Sequence, residues 1–480
     1  MTTTMASLDV RTVDGDSTAI ARETWEILGR EIRGSIALPG DPAYGDATAI
    51  WNGMITTRPA VVVRPVTVQD VTRAVAFVRD NGLALSIKGG GHNIAGLALS
   101  DGGVTLDMCH MDAVDVDVAN GVVTVGAGCR LGDVDRATQA HGLATTLGFV
   151  SETGVAGLTL GGGFGYLTRQ FGWTVDDLLG IELVTADSQV HRASRTEQED
   201  LFWAVRGGGG NFGVATRLTF ALHEIGPDVT AGLIAWSADE ADGALRLFKD
   251  VTAQAPRQLT MAALMRNAPP APWLPADKHG KPMVAFVVNH TGTEAQAEAH
   301  LAAVRAYGTP WADLIQRKTY VGQQAMLDAT QPKGMHYYWK SEFLPGLSDE
   351  LLDVYRAQFA GMQAPANQIV LFHLDGALGE RDEDDGAVGN RDAAFACVIQ
   401  SMSAPDSGAT TANREWTRTA WQALQRFSTG GNYINFQTAD ESPQRVSDSY
   451  RTNLSRLSSV KAKYDPDNLF RINRNITPAR

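Results

Sequence analysis

Asp200-Leu-Phe-Trp-Ala-Val-Arg-Gly-Gly-Gly-Gly-Asn-Phe-Gly213 runs directly into Val214-Ala-Thr-Arg-Leu-Thr-Phe220. Within it, Gly208-Gly-Gly210-Asn-Phe-Gly213 satisfies the dinucleotide spacing G-x-G-x-x-G. That motif works only where a helix starts at the glycines, so that its amino terminus meets a pyrophosphate. Here the residues after Gly213 alternate between apolar and polar, the period of a strand. The Rossmann fold is therefore excluded, and the glycines need another explanation.

Outward from this junction, glycine is again concentrated in Thr153-Gly-Val-Ala-Gly-Leu-Thr-Leu-Gly-Gly-Gly-Phe-Gly165 and in Lys88-Gly-Gly-Gly-His92-Asn93. Each loop can bring backbone N–H groups close to a large anionic ligand. The elements between them are regular. Ala60–Pro65 reads as a strand, and Thr67 with Asp70 forms a capping box before the helical spacing of Val71, Ala74, Val75 and Val78. Leu83–Lys88 is a further strand. Val114–Val118 and Val122–Val125 flank Asn120-Gly121 as a hairpin, and Leu131–His141 is a helix. The first 220 residues thus read as α+β with glycine loops between elements. The middle, 225–432, mixes helices such as Glu294–Tyr307 and Asp349–Gly361 with strands such as Met283–Asn289, Ile369–Leu374 and Ala393–Met402. Gly379–Asn390, charged and glycine-rich, reads as a solvated loop, and Tyr450–Lys463 as a helix.

The 480 residues carry 41 basic and 54 acidic side chains, a net charge of −13 without any basic run, which leaves nucleic acid little to bind. Cys109, Cys129 and Cys397 are an odd number without a C-x-x-C pair, so neither a disulfide framework nor a structural zinc site is expected. No run of about 18 apolar residues predicts a membrane span, and a soluble cytoplasmic protein is expected. P-loop, G-x-S-x-G and H-E-x-x-H motifs are missing, which removes the usual signatures of phosphate-loop, serine-hydrolase and zincin chemistry.

The three loops, with Gly431-Asn-Tyr-Ile-Asn-Phe436 and Tyr464-Asp-Pro-Asp-Asn-Leu-Phe470 following in order, resemble the berberine-bridge-enzyme-like oxidases of the vanillyl-alcohol-oxidase flavoprotein superfamily. The resemblance implies an α+β fold: a two-part FAD-binding domain of the p-cresol-methylhydroxylase type (45–222 and 438–480) and a substrate domain (223–437) with an antiparallel sheet backed by helices. It implies FAD held by Lys88, Gly89, Gly90, Gly91, His92 and Asn93, by Thr153, Gly154, Gly157, Leu158, Gly161, Gly162, Gly163 and Gly165, by Asn211, Gly213 and Val214, and by Tyr433 and Asn435. It further implies a covalent bond from His92 to the flavin 8α-methyl. Many relatives add a second bond through a cysteine four residues before Gly154, but Val150 stands there, so a single link is expected and no metal.

The same resemblance assigns Thr153 as the residue controlling oxygen access and Tyr433 as the acid–base group. A phenol needs a cation or strong hydrogen bonds to act as a base near neutrality. Some relatives supply a lysine and a glutamine, at positions aligned with Cys397 and Ile399, so that network is expected to be missing. His373 is a second candidate base or a partner of Tyr433, and His336–Lys340 a candidate aromatic wall. Asn468 and Asn473 are expected to tie the tail to the flavin domain. The expected reaction is hydride transfer from a small organic substrate (alcohol, sugar or secondary metabolite) to covalent flavin, with O2 giving H2O2. An oxidative cyclase, a flavin oxygenase or a dehydrogenase remains the alternative, and the oligomeric state is open.

Overall fold

The structure is a computed structural model that describes residues 7–362 and 364–480. Its first sheet orders Ser35–Ala37, Val61–Arg64, Val104–Asp107 and Leu85–Lys88, the last three parallel. Helix Val68–Asp80 packs on it, opened by the expected capping box. The Asp70 carboxylate accepts from the backbone N–H of Thr67 at 3.1 Å and also from those of Arg33 and Gly34, so the cap doubles as a clamp on the preceding chain.

A second, antiparallel sheet orders Val190–Ser194, Leu178–Val184, Val214–Ala221, Val122–Gly126 and Val114–Asp117. The Asn120-Gly121 hairpin forms its edge, with Gly121 at φ +64° as the turn requires. Val10, Trp25, Leu28 and Ile32, ahead of residue 45, join the core shared by these two sheets, as do Leu457, Leu469, Phe470 and Ile476 from the tail.

The middle of the chain forms an eight-stranded antiparallel sheet. Its central order is Asp228–Ser237, Pro282–His290, Leu259–Asn267, Gln368–His373, Phe395–Ser403 and His336–Leu344. One face packs on helices Ala241–Ala253, Glu294–Arg305, Asp349–Ala360 and Thr410–Gln425, through side chains such as Met261, Ile369 and Cys397. The opposite face, with Ala262, Leu264, Val370 and Val398, packs against Phe164, Trp173 and Tyr433. The period-2 alternation of each strand makes this division, since neighbouring side chains point to opposite faces.

The expected solvated loop at Gly379–Asn390 is instead a strap. Ala387 and Val388 are buried, and Val388 N donates to the Arg206 carbonyl at 2.9 Å. Asp385 lies between Arg206, Arg195 and Arg381, so the acidic residues pair with arginines of the glycine-loop half and of the strap itself. Tyr450 ends its own helix, Pro443–Tyr450, before the tail helix runs from Leu454 to Tyr464. Among the described residues no helix is long and apolar enough to cross a membrane.

Candidate active site between the glycine loops and the large sheet

A cavity of ≈ 380 Å³ lies where the glycine loops face the helix-free side of the large sheet. Its glycine wall is Gly89–Gly91 after strand Leu85–Lys88, Gly154, Gly157 and Gly161 around helix Val155–Leu160, and Gly209, Gly210 and Gly213. The first two loops touch back to back: a Cβ on Gly90 would overlap the backbone of Gly154, and one on Gly154 the backbone of Gly90. At Gly157 and Gly210 a Cβ would meet nothing, so their bare backbone fronts open space. Gln331 Oε1 and Asn473 Oδ1, from residues lining the cavity, are buried without a hydrogen-bond partner among the described residues. Bare peptide edges, unpaired amide oxygens and aromatic side chains fit a long ligand carrying a diphosphate and flat rings, which is the chemistry of FAD.

His92 lines this cavity and stacks on Trp51 (5.3 Å between centroids, 16°), which stacks in turn on Tyr337 (3.7 Å, 15°). Burial, with Arg130 and Lys333 adding to it, lowers the imidazole to about 4. His92 is therefore neutral near neutrality and keeps a free nitrogen lone pair. Val150 lines the cavity and none of the three cysteines does: Cys129 donates to the Ala113 carbonyl, Cys397 lies in the helix-side core, and Cys109 sits beside Asp107.

Thr153, Leu158, Tyr433 and Asn435 line the same cavity. Asn435 Nδ2 donates to the Tyr433 hydroxyl at 2.9 Å and to the Leu158 carbonyl at 3.1 Å, joining the fourth motif to the second loop. Burial raises the Tyr433 phenol, and its neighbours are Phe164, Phe343 and Phe436. With an amide donor and no cation beside it among the described residues, its surroundings favour the protonated phenol over the phenolate.

His373 does not partner Tyr433. It borders the cavity at the end of its strand, but its Nε2 bonds Asp375 at 2.8 Å and its ring stacks on Phe395 of the helix-side core, because residue 373 has the strand parity of Ile369 and Leu371. Cys397 and Ile399 likewise face the helices, and the positions on the cavity side are Val398 and Gln400. Of His336–Lys340 only Trp339 lines the cavity, while Tyr337 buttresses Trp51 and the Tyr338 hydroxyl donates to Asp440.

Asn93 caps its own loop by accepting from Leu97 N at 3.0 Å. Asn211 bonds the Arg474 carbonyl and Ile476 N, and Asn473 donates to the Gly210 carbonyl, so both bind the tail to the third loop. Asn468 lies at φ +55° in a turn within the tail and makes no such tie among the described residues.

Five expected contacts lie behind the wall. Lys88 donates to the Ala47 carbonyl at 2.8 Å and pairs with buried Asp107 at 3.2 Å, so its charge is spent inside the first sheet. Gly162 and Gly163, both at positive φ, pack on Val388 and Thr174, and Gly165 packs on the Leu147 carbonyl. Val214 is buried where its strand begins. Sequence reasoning missed Trp51, and also Arg266, Gln368 and Gln400 on the cavity side of the sheet, as well as Lys461, which lies outside the cavity and donates to the Asn211 carbonyl of the third loop. For Arg266, Gln368 and Gln400 the signal is strand parity, which long apolar runs hide.

The family described as FAD binding domain matches residues 59–194, and the one described as berberine and berberine like matches 432–477. The (R)-6-hydroxynicotine oxidase of Paenarthrobacter nicotinovorans is 31% identical over 469 residues, covering 93% of this chain and 97% of that one. The glucooligosaccharide oxidase of Sarocladium strictum is 28% identical over 455 residues, 88% of each chain. The crystal structure of 6-hydroxy-D-nicotine oxidase from Arthrobacter nicotinovorans superimposes with a TM-score of 0.84 at 28% identity, over 93% of this chain and 98% of that one. The chain belongs to the berberine-bridge-enzyme-like FAD-linked oxidoreductases. It is an FAD-binding enzyme with the p-cresol-methylhydroxylase type of cofactor domain and a separate substrate domain.

Proposed function

We propose that this enzyme is an oxidase holding FAD through one covalent bond, from His92, and oxidising a small organic molecule in the space between the glycine loops and the large sheet. FAD, held by His92 and the glycine loops, would supply the acceptor for a hydride from a substrate C–H and the route of both electrons to O2, and the substrate's O–H or N–H proton would leave to solvent, so that substrate and O2 become oxidised product and H2O2. One observation carries the reading: neutral His92 lines the same cavity as all three glycine loops, and every cysteine lies outside it. A neutral imidazole retains the lone pair that a C–N bond requires, and the stack on Trp51 and Tyr337 restricts its ring.

The other residues divide the remaining work. Thr153, small and at the start of the second loop, leaves room for O2. Tyr433, protonated and held by Asn435, donates a hydrogen bond to a substrate oxygen or nitrogen rather than abstracting its proton. Phe149, Phe164, Phe372 and Phe436 exclude water from the substrate side. The relatives' names include a hydroxynicotine oxidase and a glucooligosaccharide oxidase, so alcohol, sugar and heterocyclic amine substrates all belong in the screen.

The test is the absorption spectrum and intact mass of the acid-precipitated chain. The parent should retain the flavin bands and one added FAD, and His92→Ala should retain neither. Covalent flavin persisting in His92→Ala would overturn the linkage. A photoreduced parent that consumes no O2 would replace the oxidase reading with a dehydrogenase.

A further inference from the structure

The large sheet carries one polar row that the proposed chemistry does not use. Arg266, Gln368, Gln400 and Trp339 stand on four adjacent strands, and the pairing places each directly opposite the next: Arg266 to Gln368, Gln368 to Gln400, Gln400 to Trp339. All four line the cavity. Trp339 ends the row beside Trp51 (5.3 Å), the residue on which His92 stacks. The neighbouring row on the same face is apolar at Leu264, Val370 and Val398 and ends at Ser341.

The donor and acceptor senses in this row are forced. Arginine has no acceptor, so Gln368 must turn Oε1 toward Arg266, whose Nη1 lies at 3.5 Å. Gln368 Nε2 then donates to Gln400 Oε1, and the Gln400 amide N–H groups are left over. Arg266 Nε is spent on the Asn267 carbonyl at 3.2 Å, while Nη2 has no partner among the described residues. What the row offers the cavity is therefore N–H donors and a positive charge.

Among the described residues no carboxylate lines the cavity to neutralise that charge. The other lining arginine, Arg474, is engaged with the carbonyls of Gln437 and Thr438 at 2.6 and 2.8 Å. Arg266 makes no ion pair among the described residues, and burial lowers its basicity. An uncompensated guanidinium inside a largely apolar cavity is costly unless an anion completes it.

We infer that Arg266, Gln368 and Gln400 form an oxyanion subsite, and that the enzyme's substrates are aromatic or similarly apolar molecules carrying a carboxylate or a phenolate-type oxygen. Arg266 supplies the charge-assisted bond, Gln400 a second donor, and Gln368 fixes the orientation of both. The aromatic residues beside the row take the apolar body. The inference rests on the cavity being the substrate site of a flavoenzyme, and its test needs only bound flavin, not turnover.

Benzoate and benzamide have nearly the same shape and differ in charge, so each is titrated into the flavin-loaded protein while the flavin absorbance is followed. The parent should bind benzoate at least about tenfold more tightly than benzamide. Arg266→Gln should erase that preference and leave benzamide within about threefold of its parent value, whereas Arg266→Lys should keep part of it. Replacing benzoate by 4-nitrophenolate, with 4-nitroanisole as its uncharged match, separates a carboxylate-reading site from one that takes any oxyanion. Equal affinities in the parent, no benzoate binding at millimolar concentration, or a preference that survives in Arg266→Gln would each overturn the assignment. A protein that prefers benzoate but reduces no O2 would leave the subsite standing and sink only the oxidase reading.

Discussion

Lys461→Met isolates what fastens the tail to the cofactor loops. Lys461 and Asp465, one turn apart, are both fully buried and paired at 2.6 Å. Lys461 Nζ also donates to the Asn211 carbonyl at 2.7 Å and the Phe470 carbonyl at 2.9 Å, so a single ammonium joins the tail helix, the tail turn and the third glycine loop. Removing one partner of a buried pair costs about 3–5 kcal/mol, because the other charge stays desolvated. Asp465 would still accept from the N–H groups of Leu469 and Phe470 at 2.7 and 2.9 Å, which argues for the lower end, about 3 kcal/mol.

For a cooperative unit of the size of the flavin-binding half, that loss corresponds to a Tm lower by about 6–12 °C. Tryptophan fluorescence during a thermal ramp reads it. Asp465→Asn added to Lys461→Met neutralises the orphaned carboxylate and should recover about half of the loss. A drop below about 2 °C for the single variant, or a double variant less stable than the single, would refute the claim that this pair is sealed from water.

Tyr433→Phe removes the hydroxyl that Asn435 holds, and anaerobic flavin reduction by a turned-over substrate should slow by about tenfold to a hundredfold, an unchanged rate dismissing the role. Thr153→Leu should slow reoxidation of the reduced protein by O2, read by stopped-flow mixing with oxygenated buffer and normalised to the flavin content of each sample, and an unaltered reoxidation rate would dismiss the role. Asp135 tests the electrostatics: burial raises its carboxyl to about 7, against a hydrogen bond from Gln324 that lowers it. Since the folded value lies above the unfolded one, the folded state holds a proton that the unfolded chain has lost between about pH 4 and 7, and stability falls as pH rises through that window. Asp135→Asn should therefore raise Tm more at about pH 8 than at about pH 5, and an equal gain at both would contradict the shift.

Some of the site is legible before any fold is known. A backbone that must touch another backbone cannot carry a Cβ, so the contact of Gly90 with Gly154 is written in the glycines themselves. The same holds for the Thr67–Asp70 cap and the Asn120-Gly121 turn, whose bonds close within a few residues. Other features misled. The charges of Gly379–Asn390 read as solvation, yet Asp385 meets Arg206 from far away in the chain. Lys88, adjoining a glycine loop, looked like a cofactor contact, but its partner Asp107 stands on the neighbouring strand.

The amino-acid sequence alone determined the local grammar: the loops that admit a cofactor, the histidine placed among glycines, and the exclusion of the Rossmann alternative at Gly213–Val214. Only the tertiary structure decided which strand residues face the cavity. A strand apolar on both faces shows no alternation to read, and a shift of one residue exchanges its faces. That shift separates Ile399, buried against helices, from Gln400, aligned with Gln368 and Arg266 by hydrogen bonds between strands distant in the chain. Local propensities cannot encode such an alignment, because register is a property of the paired strands and not of any one of them.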